Sequence, residues 1–335
     1  MRQAQILILE ILHCIPVVKI FAFLDLEPIS ADFGLKRFET GSKISLIMNT
    51  FNLSWNSHNL EIGKRTLIMG IVNVTPDSFS DGGKFLSCEA ALAHGEKLVK
   101  DGADIIDIGG ESTRPFSDSL SAQEEIGRVI PVIEKLAKRV SVPISIDTTK
   151  AKVARRALEA GASIINDIGA LRFDPDMASV VSEFGVPVIL MHMLGTPKTM
   201  QDSPEYDDLI KEIKSFLAYA IKRAEKSGIP KTNVIIDPGI GFGKTVEHNL
   251  LLIKNLHEFS SLDVPVLIGS SRKAFIRKIL KDETDLDIRP DIPMVETGTQ
   301  ASIAAAIFNG ANIVRVHDVA NTCATVKIAD AIKHA

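Results

Sequence analysis

The sequence predicts an α/β protein built as a closed (β/α)₈ TIM barrel, residues 61–335, behind an N-terminal extension of residues 1–60. Three observations predict it. From Leu67 onward, short runs rich in Ile and Val alternate with helical stretches of roughly 10–20 residues. The strand candidates are near-continuously apolar, as strands are in a parallel sheet buried on both faces. About eight such units over roughly 270 residues match the usual size of a closed barrel, about 250.

In chain order the strand candidates are LIMGIVNV (67–74), DIIDIGG (104–110), PISIDTT (143–149), SIINDIGA (163–170), PVILMHM (187–193), VIIDPG (234–239), PVLIGSS (265–271) and NIVRVHDV (312–319). A DGA, AGA or NGA step precedes several of them and ends one helix before the next strand starts. The alternative, an open doubly wound sheet that binds a dinucleotide, would need a GxGxxG turn after its first strand. Here that strand runs into TPDSFSDGGKF, which is longer and lacks the turn.

Almost every strand starts apolar and carries polar groups near its C-terminal end. Asn73 ends the first, Asp107 and Glu111 follow in the second, and Asp147 ends the third. Asn166 and Asp167 interrupt the fourth, His192 comes late in the fifth and Asp237 in the sixth. Ser270, Ser271, Arg272 and Lys273 end the seventh; Arg315, His317 and Asp318 end the eighth. In a barrel these tips meet at one mouth, where such folds carry their chemistry. Arg315 and His317 are two apart and share a side, which must face the barrel interior if Val314 and Val316 pack on helices. Each residue also has a plain structural alternative. Asp147 would serve as a helix cap, Asp237 as a turn residue, His192 as a core histidine and Arg272 as a solvated surface residue. Together they require a wet, paired or ligand-binding mouth, because an unpartnered buried charge costs about 3–5 kcal/mol.

Charge and composition set limits on partners. The net charge is -4, with 45% hydrophobic and 24% charged residues, so nothing draws the chain to nucleic acid or an anionic membrane. Cys14, Cys88 and Cys323 show no metal or disulfide spacing, which suits a cytoplasmic setting. In the extension, ILILEILHCIPVVKIFAFL is apolar, but Glu10, His13, Pro16 and Lys19 interrupt it. A charge at the centre of a spanning helix costs about 2.5–3.5 kcal/mol, so no membrane role is expected. A packed extension and a start at Met48 are both compatible with the segment.

DPGIGFGKT (237–245) resembles a phosphate loop, yet the position that pattern gives to its first glycine holds Pro238. The other reading is that the glycines leave open space beside Asp237. Carboxylates and an amide in a pocket suit a flat heterocycle with several N–H donors. Arg315 and His317 with Asn73 suit a diphosphate and a hard cation, since magnesium takes few protein oxygens beside phosphate.

MGIVNVTPDSFSDGGKF, DIIDIGGESTRP, PISIDT, IINDIGA, VILMHMLGTPKTMQ, DPGIGFGK, GSSRK and RVHDV together resemble the dihydropteroate synthase family of pterin-binding enzymes in folate biosynthesis, from about Leu67 to the C-terminus. The resemblance implies that (7,8-dihydropterin-6-yl)methyl diphosphate condenses with 4-aminobenzoate, in an enzyme that sulfonamides inhibit. It implies pterin contacts at Asp147, Asn166, Asp237 and Lys273, and diphosphate contacts at Asn73, Arg114, Arg315 and His317. It implies Mg²⁺ on Asn73, and an aminobenzoate site bordered by Thr113, Pro115 and Ser271, with Gly241 and Phe242 lining space beside Asp237 and Phe79 on a mobile lid. Asp147, Lys273 and Arg315 would carry the chemistry. Loops 75–86 and 111–121 would close and exclude water.

The resemblance also implies a homodimer through the late helices, and ETGTQASIAAAIFNGA (296–311) has enough small residues for close packing. The sequence departs from the family pattern twice: Phe116 and Arg277 stand where glycine is usual. Two other readings share parts of this set. A methyltransferase of similar barrel, acting on a methylated folate, would not need the Ser-Arg-Lys and Arg-x-His groups. A non-catalytic pterin-binding relative would have lost some of the mouth charges.

Overall fold

The computed structural model describes residues 50–74, 83–111, 120–282 and 287–335, all within one of two compact units, Ile47–Ala335. Residues 1–49 and most of both long loops, with Phe79, Thr113, Arg114, Pro115 and Phe116, lie outside the described residues.

The chain is described from an antiparallel hairpin, β1 (Phe51–Trp55) and β2 (His58–Ile62), which crosses the 60/61 boundary expected from the sequence. Leu53, Trp55 and Ile62 are buried with the main core. Alternate residues of each strand face inward, as a half-buried ribbon requires.

The barrel strands follow: β3 (Leu67–Asn73), β4 (Ile105–Gly109), β5 (Ile144–Asp147), β6 (Ile164–Asp167), β7 (Val188–Met191), β8 (Val234–Asp237), β9 (Leu267–Ile268) and β10 (Ile313–Val316). They pair in parallel in the order β8-β7-β6-β5-β4-β3-β10-β9. A parallel bridge between Ile236 and Val266, with Ile236 N–H donating to Pro265 C=O at 2.9 Å, closes β8 onto β9. The eight expected strands are all present, several of them shorter than the apolar runs. β9 shrinks most, because Pro265 has no N–H to give and the chain turns at Ser270.

Helices connect the strands: α1 (Gly83–Lys100), α2 (Ala122–Leu136), α3 (Ala151–Glu159), α4 (Met177–Phe184), α5 (Leu209–Lys226), α6 (Val246–Lys254), α7 (Ala274–Leu280), α8 (Pro293–Phe308) and α9 (Val319–His334). Local chemistry starts several of them. Ser121 and Glu124 form a reciprocal capping box at α2, Asp208 caps α5, and Thr245 caps α6 through His248 N–H.

Strand residues that point outward, such as Val314 and Val316, pack under these helices. Full burial of such a side chain contributes about 1.5–3 kcal/mol. At the N-terminal end, Asp330 of α9 accepts both Thr66 N–H and Thr66 Oγ1–H at 2.8 Å, tying the last helix to the first barrel strand. Among the described residues, no helix is long and apolar enough to cross a membrane.

Candidate active site

Strand register aligns the polar tips. Asn73 pairs with Gly109, Gly109 with Asp147 and Asp147 with Asn166. On the far side Met191 pairs with Asp237. Cross-strand partners in a sheet point to the same face, so Asn73, Asp147, Asn166 and Asp237 all face the interior near the C-terminal mouth. Arg315 joins them, paired with Met69 on that same face.

Arg315 is the hub. Its Nε donates to Asp107 Oδ2 at 2.7 Å and its Nη2 to Asp147 Oδ2 at 2.8 Å. Asn166 Nδ2 donates to the same Asp107 oxygen at 3.1 Å. Asp107 is fully buried, and its Oδ1 has no hydrogen-bond partner within the protein. The Arg–His side of β10 thus faces the interior, as its parity predicts. Asp147 does not cap the next helix, which starts after Lys150. Asp107 is a polar residue in an apolar strand and lies outside the set of site residues that the resemblance implies. Its parity marks it: it lies two residues before Gly109, on the mouth-facing side.

Burial raises the Asp147 carboxyl to about 7; Arg315 pulls the other way, and Asp107 adds to the rise. Asp237 is raised to about 6 by burial, against the hydrogen bond it accepts from Gly239 N–H at 2.7 Å. Asp237 is therefore both the turn residue and a carboxylate of the mouth. Burial lowers Lys273 to about 8, and its Nζ sits 3.9 Å from the centre of the Phe242 ring, a cation–π contact. Phe242 belongs to a small apolar cluster with Ile168, Met191, Met193 and Met200, separate from the main core. That cluster gives the mouth a hydrophobic wall beside its charges.

The glycine run is not a phosphate cradle. Gly239 N–H is taken by Asp237, Gly241 N–H by Asn249 Oδ1 at 2.7 Å, and Phe242 N–H by Gly239 C=O at 3.1 Å. A cradle needs such amides free to point at an anion. The glycines answer two close approaches instead. A Cβ on Gly239 would sit 1.9 Å from His192 O, and one on Gly241 would sit 3.0 Å from Lys273 Cδ; both residues have positive φ.

Lys244, the lysine of the apparent phosphate motif, is buried. Its Nζ donates to Phe242 C=O at 2.9 Å and bonds His192 Nδ1 at 3.0 Å. Burial lowers Lys244 to about 7 and His192 to about 2, so the imidazole is neutral at ordinary pH. His192 is thus a core histidine, set edge-on to Phe216.

Ser271 Oγ and His317 Nδ1 lie 2.9 Å apart, which joins the tips of β9 and β10. Arg272 is half-buried against Glu296 rather than solvated. Asp167 turns away to hold Gly169 N–H and Leu171 N–H. Past the C-terminal ends of β4 and β5, Lys150 bridges Glu111 at 2.6 Å and the buried Glu125 at 2.7 Å, and Glu111 also accepts Leu120 N–H at 2.7 Å. A cavity of about 670 Å³ opens at the opposite end of the barrel, lined by strand-start residues including Arg65 and Asp104. Arg65 and Asp104 neutralise each other there.

The arrangement offers carboxylates and an amide for ring N–H donors, an apolar wall for a flat face, and cations for an anion. Among the described residues, no cluster of three or more His, Cys, Asp or Glu can hold a metal ion.

Residues 69–317 match the family model described as pterin binding enzyme. The chain is 47% identical over 270 residues to a dihydropteroate synthase of Synechocystis sp., covering 81% of this chain and 91% of that protein. It is 48% identical over 277 residues to that of Bacillus subtilis, covering 82% and 90%. Among solved structures, Xanthomonas albilineans dihydropteroate synthase with 4-aminobenzoic acid superposes with a TM-score of 0.77 at 43% identity, covering 86% of this chain and 100% of that one. The same organism's enzyme in complex with 7,8-dihydropteroate gives a TM-score of 0.74 at 41% identity, covering 85% and 99%.

Proposed function

The chain belongs to the pterin binding enzyme family and has the activity of a dihydropteroate synthase, and from that premise we propose how its residues divide the work. The reaction condenses (7,8-dihydropterin-6-yl)methyl diphosphate with 4-aminobenzoate to give 7,8-dihydropteroate and diphosphate, a step of folate biosynthesis. One observation carries the assignment of roles. Asp147, Asn166, Asp237, Lys273 and Arg315 come from five separate strand ends and face one mouth beside the Phe242 wall.

Asp147, Asn166 and Asp237 take the ring N–H donors of the pterin, and Lys273 its acceptor edge. Arg315, His317 and Asn73 face the diphosphate, and Ser271 borders the aminobenzoate; Arg114, Thr113, Pro115 and Phe79 complete these sets by resemblance. As the methylene C–O bond breaks, its electron pair leaves with the diphosphate and positive charge spreads into the ring. The Asp147 carboxylate stabilises that charge. Ring N–H donors and the growing cation both favour ionised Asp147, so its proton leaves as substrate binds. The aminobenzoate nitrogen then bonds to the methylene carbon and loses a proton. No protein nucleophile is needed.

Asn73 fits a magnesium site of the sparse kind. It offers one hard amide oxygen at an exposed strand end, leaving the other positions to diphosphate oxygens and water. When bound, such an ion would neutralise the departing diphosphate.

We further propose a cytoplasmic homodimer. Exposed Ile279, Met294 and Phe308 on the late helices support the contact, and the free thiols of Cys88 and Cys323 suit a reducing compartment.

The test is diphosphate release on mixing pterin diphosphate, Mg²⁺ and 4-aminobenzoate. Release that depends on aminobenzoate supports the reading; pterin binding without turnover would overturn it.

A further inference from the structure

Arg272 has left-handed backbone, φ 57°, a conformation L residues with side chains seldom adopt. It is the third residue of a turn closed by Lys273 N–H on Ser270 C=O at 3.3 Å, a position that glycine or asparagine usually fills when φ is positive. Arg272 has a proposed ligand contact on each side within the turn, Ser271 before it and Lys273 after it. An error in its backbone angles would therefore move both.

Three braces hold it. Arg272 N–H donates to Thr299 Oγ1 at 3.1 Å, and its Nε to Glu296 at 3.3 Å, both on α8. Its carbonyl accepts from Arg277 Nη1 at 3.1 Å. Arg277 lies one turn into α7, the helix that Lys273 itself begins. Its guanidinium is oriented from behind by Asp287, Nε to Oδ1 at 3.2 Å and Nη2 to Oδ2 at 3.0 Å. Arg277 also holds the Asp287 carboxyl below its ordinary value. Its planar fork serves the carbonyl with one nitrogen and both carboxylate oxygens with two others, a fixed geometry that a lysine ammonium does not supply. Without the Arg277 side chain the carbonyl of the strained residue would lose this partner.

We infer that Arg277, held by Asp287, is a positioning residue for the synthase reaction. It grips the Arg272 carbonyl, keeps the left-handed turn in place, and so aims Lys273 at the pterin. The inference rests on the reading of Lys273 as a pterin contact.

The experiment is steady-state kinetics on Arg277→Ala, Arg277→Lys and Asp287→Asn, each also combined with Arg272→Gly. Arg277→Ala should raise KM for pterin diphosphate about three- to tenfold, in the lower part of the range expected of coupled neighbours, and shift the alkaline limb of the pH profile as Lys273 loses its fixed position. Arg277→Lys, which can still reach the carbonyl, should recover part of the loss. In the Arg272→Gly background, where glycine takes the left-handed conformation without strain, removing Arg277 should change KM less than about twofold. An equal penalty in both backgrounds would overturn the inference, since a purely structural role does not depend on the strain at Arg272. So would an unchanged pterin KM. If Arg277→Ala does not fold, Asp287→Asn carries the same two expectations at smaller amplitude. Lys273→Met separates the two readings. If it leaves pterin KM unchanged, the site assignment fails. If it raises KM while the Arg277 variants do not, only the positioning inference fails.

Discussion

Arg315 reaches across the barrel to Asp147, 168 residues away, with Nη2 2.8 Å from Oδ2, while the same side chain holds the fully buried Asp107. One guanidinium thus keeps two interior carboxylates apart in charge. Arg315→Ala should cost about 3–5 kcal/mol of stability at neutral pH. The loss should grow toward pH 9, where Asp147, which Arg315 holds down, ionises without its partner. Denaturant titrations at pH 7 and pH 9 check this; an equal loss at both would mean that Asp147 was not relying on Arg315.

Asp147→Asn should behave differently. It keeps the shape and removes one of the two negative charges beside Arg315, so Asp107 still satisfies the cation. Stability should change little, whereas turnover should fall about 10²–10³-fold, as when one group that stabilises transition-state charge is removed. Paired measurement of melting temperature and kcat decides. A large drop in stability with modest loss of turnover would make Asp147 a structural residue.

Without ligand, pH should act on stability through buried groups on two sides, the raised carboxyls of Asp147, Asp167 and Asp237 outweighing the lowered His192 in acid, and Lys244 with Lys273 acting in alkali. Asp147 and Asp237 are raised from 3.8 to about 7 and about 6. Between the unfolded and folded values the folded protein binds more protons, so stability falls as pH rises through that window. Lys244 and Lys273 are lowered from 10.5 to about 7 and about 8. Above these values the unfolded chain binds more protons, so stability rises with pH. The ligand-free protein should therefore be least stable around pH 7. Lys244→Met should flatten the alkaline rise, and Asp237→Asn the acid-side fall, in denaturant midpoints followed across pH. Unaltered slopes in both variants would count against these ionisations.

Gly241→Ala tests the glycine run. Position 241 has φ 80°, and an added Cβ would press on Lys273 at 3.0 Å. The left-handed conformation alone costs a non-glycine residue about 1–2 kcal/mol. The variant should lose about that much stability and bind pterin more weakly while aminobenzoate use changes less. Calorimetric titration with a pterin ligand checks it; unchanged pterin affinity would mean that Lys273 does not depend on the space beside Gly241.

Trp55→Ala tests the hairpin. Trp55 is buried with the barrel core at a point the sequence assigns to the extension. Truncating a buried aromatic side chain costs about 3–5 kcal/mol. Because the hairpin contacts the segment that leads into β8 at the N-terminal end, kcat should stay near the parent value. A variant that kept full stability would show the hairpin to be dispensable.

The barrel and most of its mouth were legible in the sequence. Apolar runs separated by helices dictate a buried parallel sheet, and polar residues at the ends of such runs have nowhere to go but a shared opening. The period of two along a strand was enough to turn Arg315 inward and Val314 outward. What the sequence could not show was who pairs with whom. Asp107 and Arg315 are 208 residues apart, and only barrel closure and strand stagger decide that they meet. The same holds for Lys244, a phosphate-loop lysine by motif and a buried partner of His192 in space. It holds again for Arg277, whose use depends on a left-handed turn that no local pattern announces. Periodicity is a property of neighbours along the chain, so it survives in the sequence. Pairing, burial and the shifts in ionisation they cause are properties of distance, and distance is set only when the chain has folded.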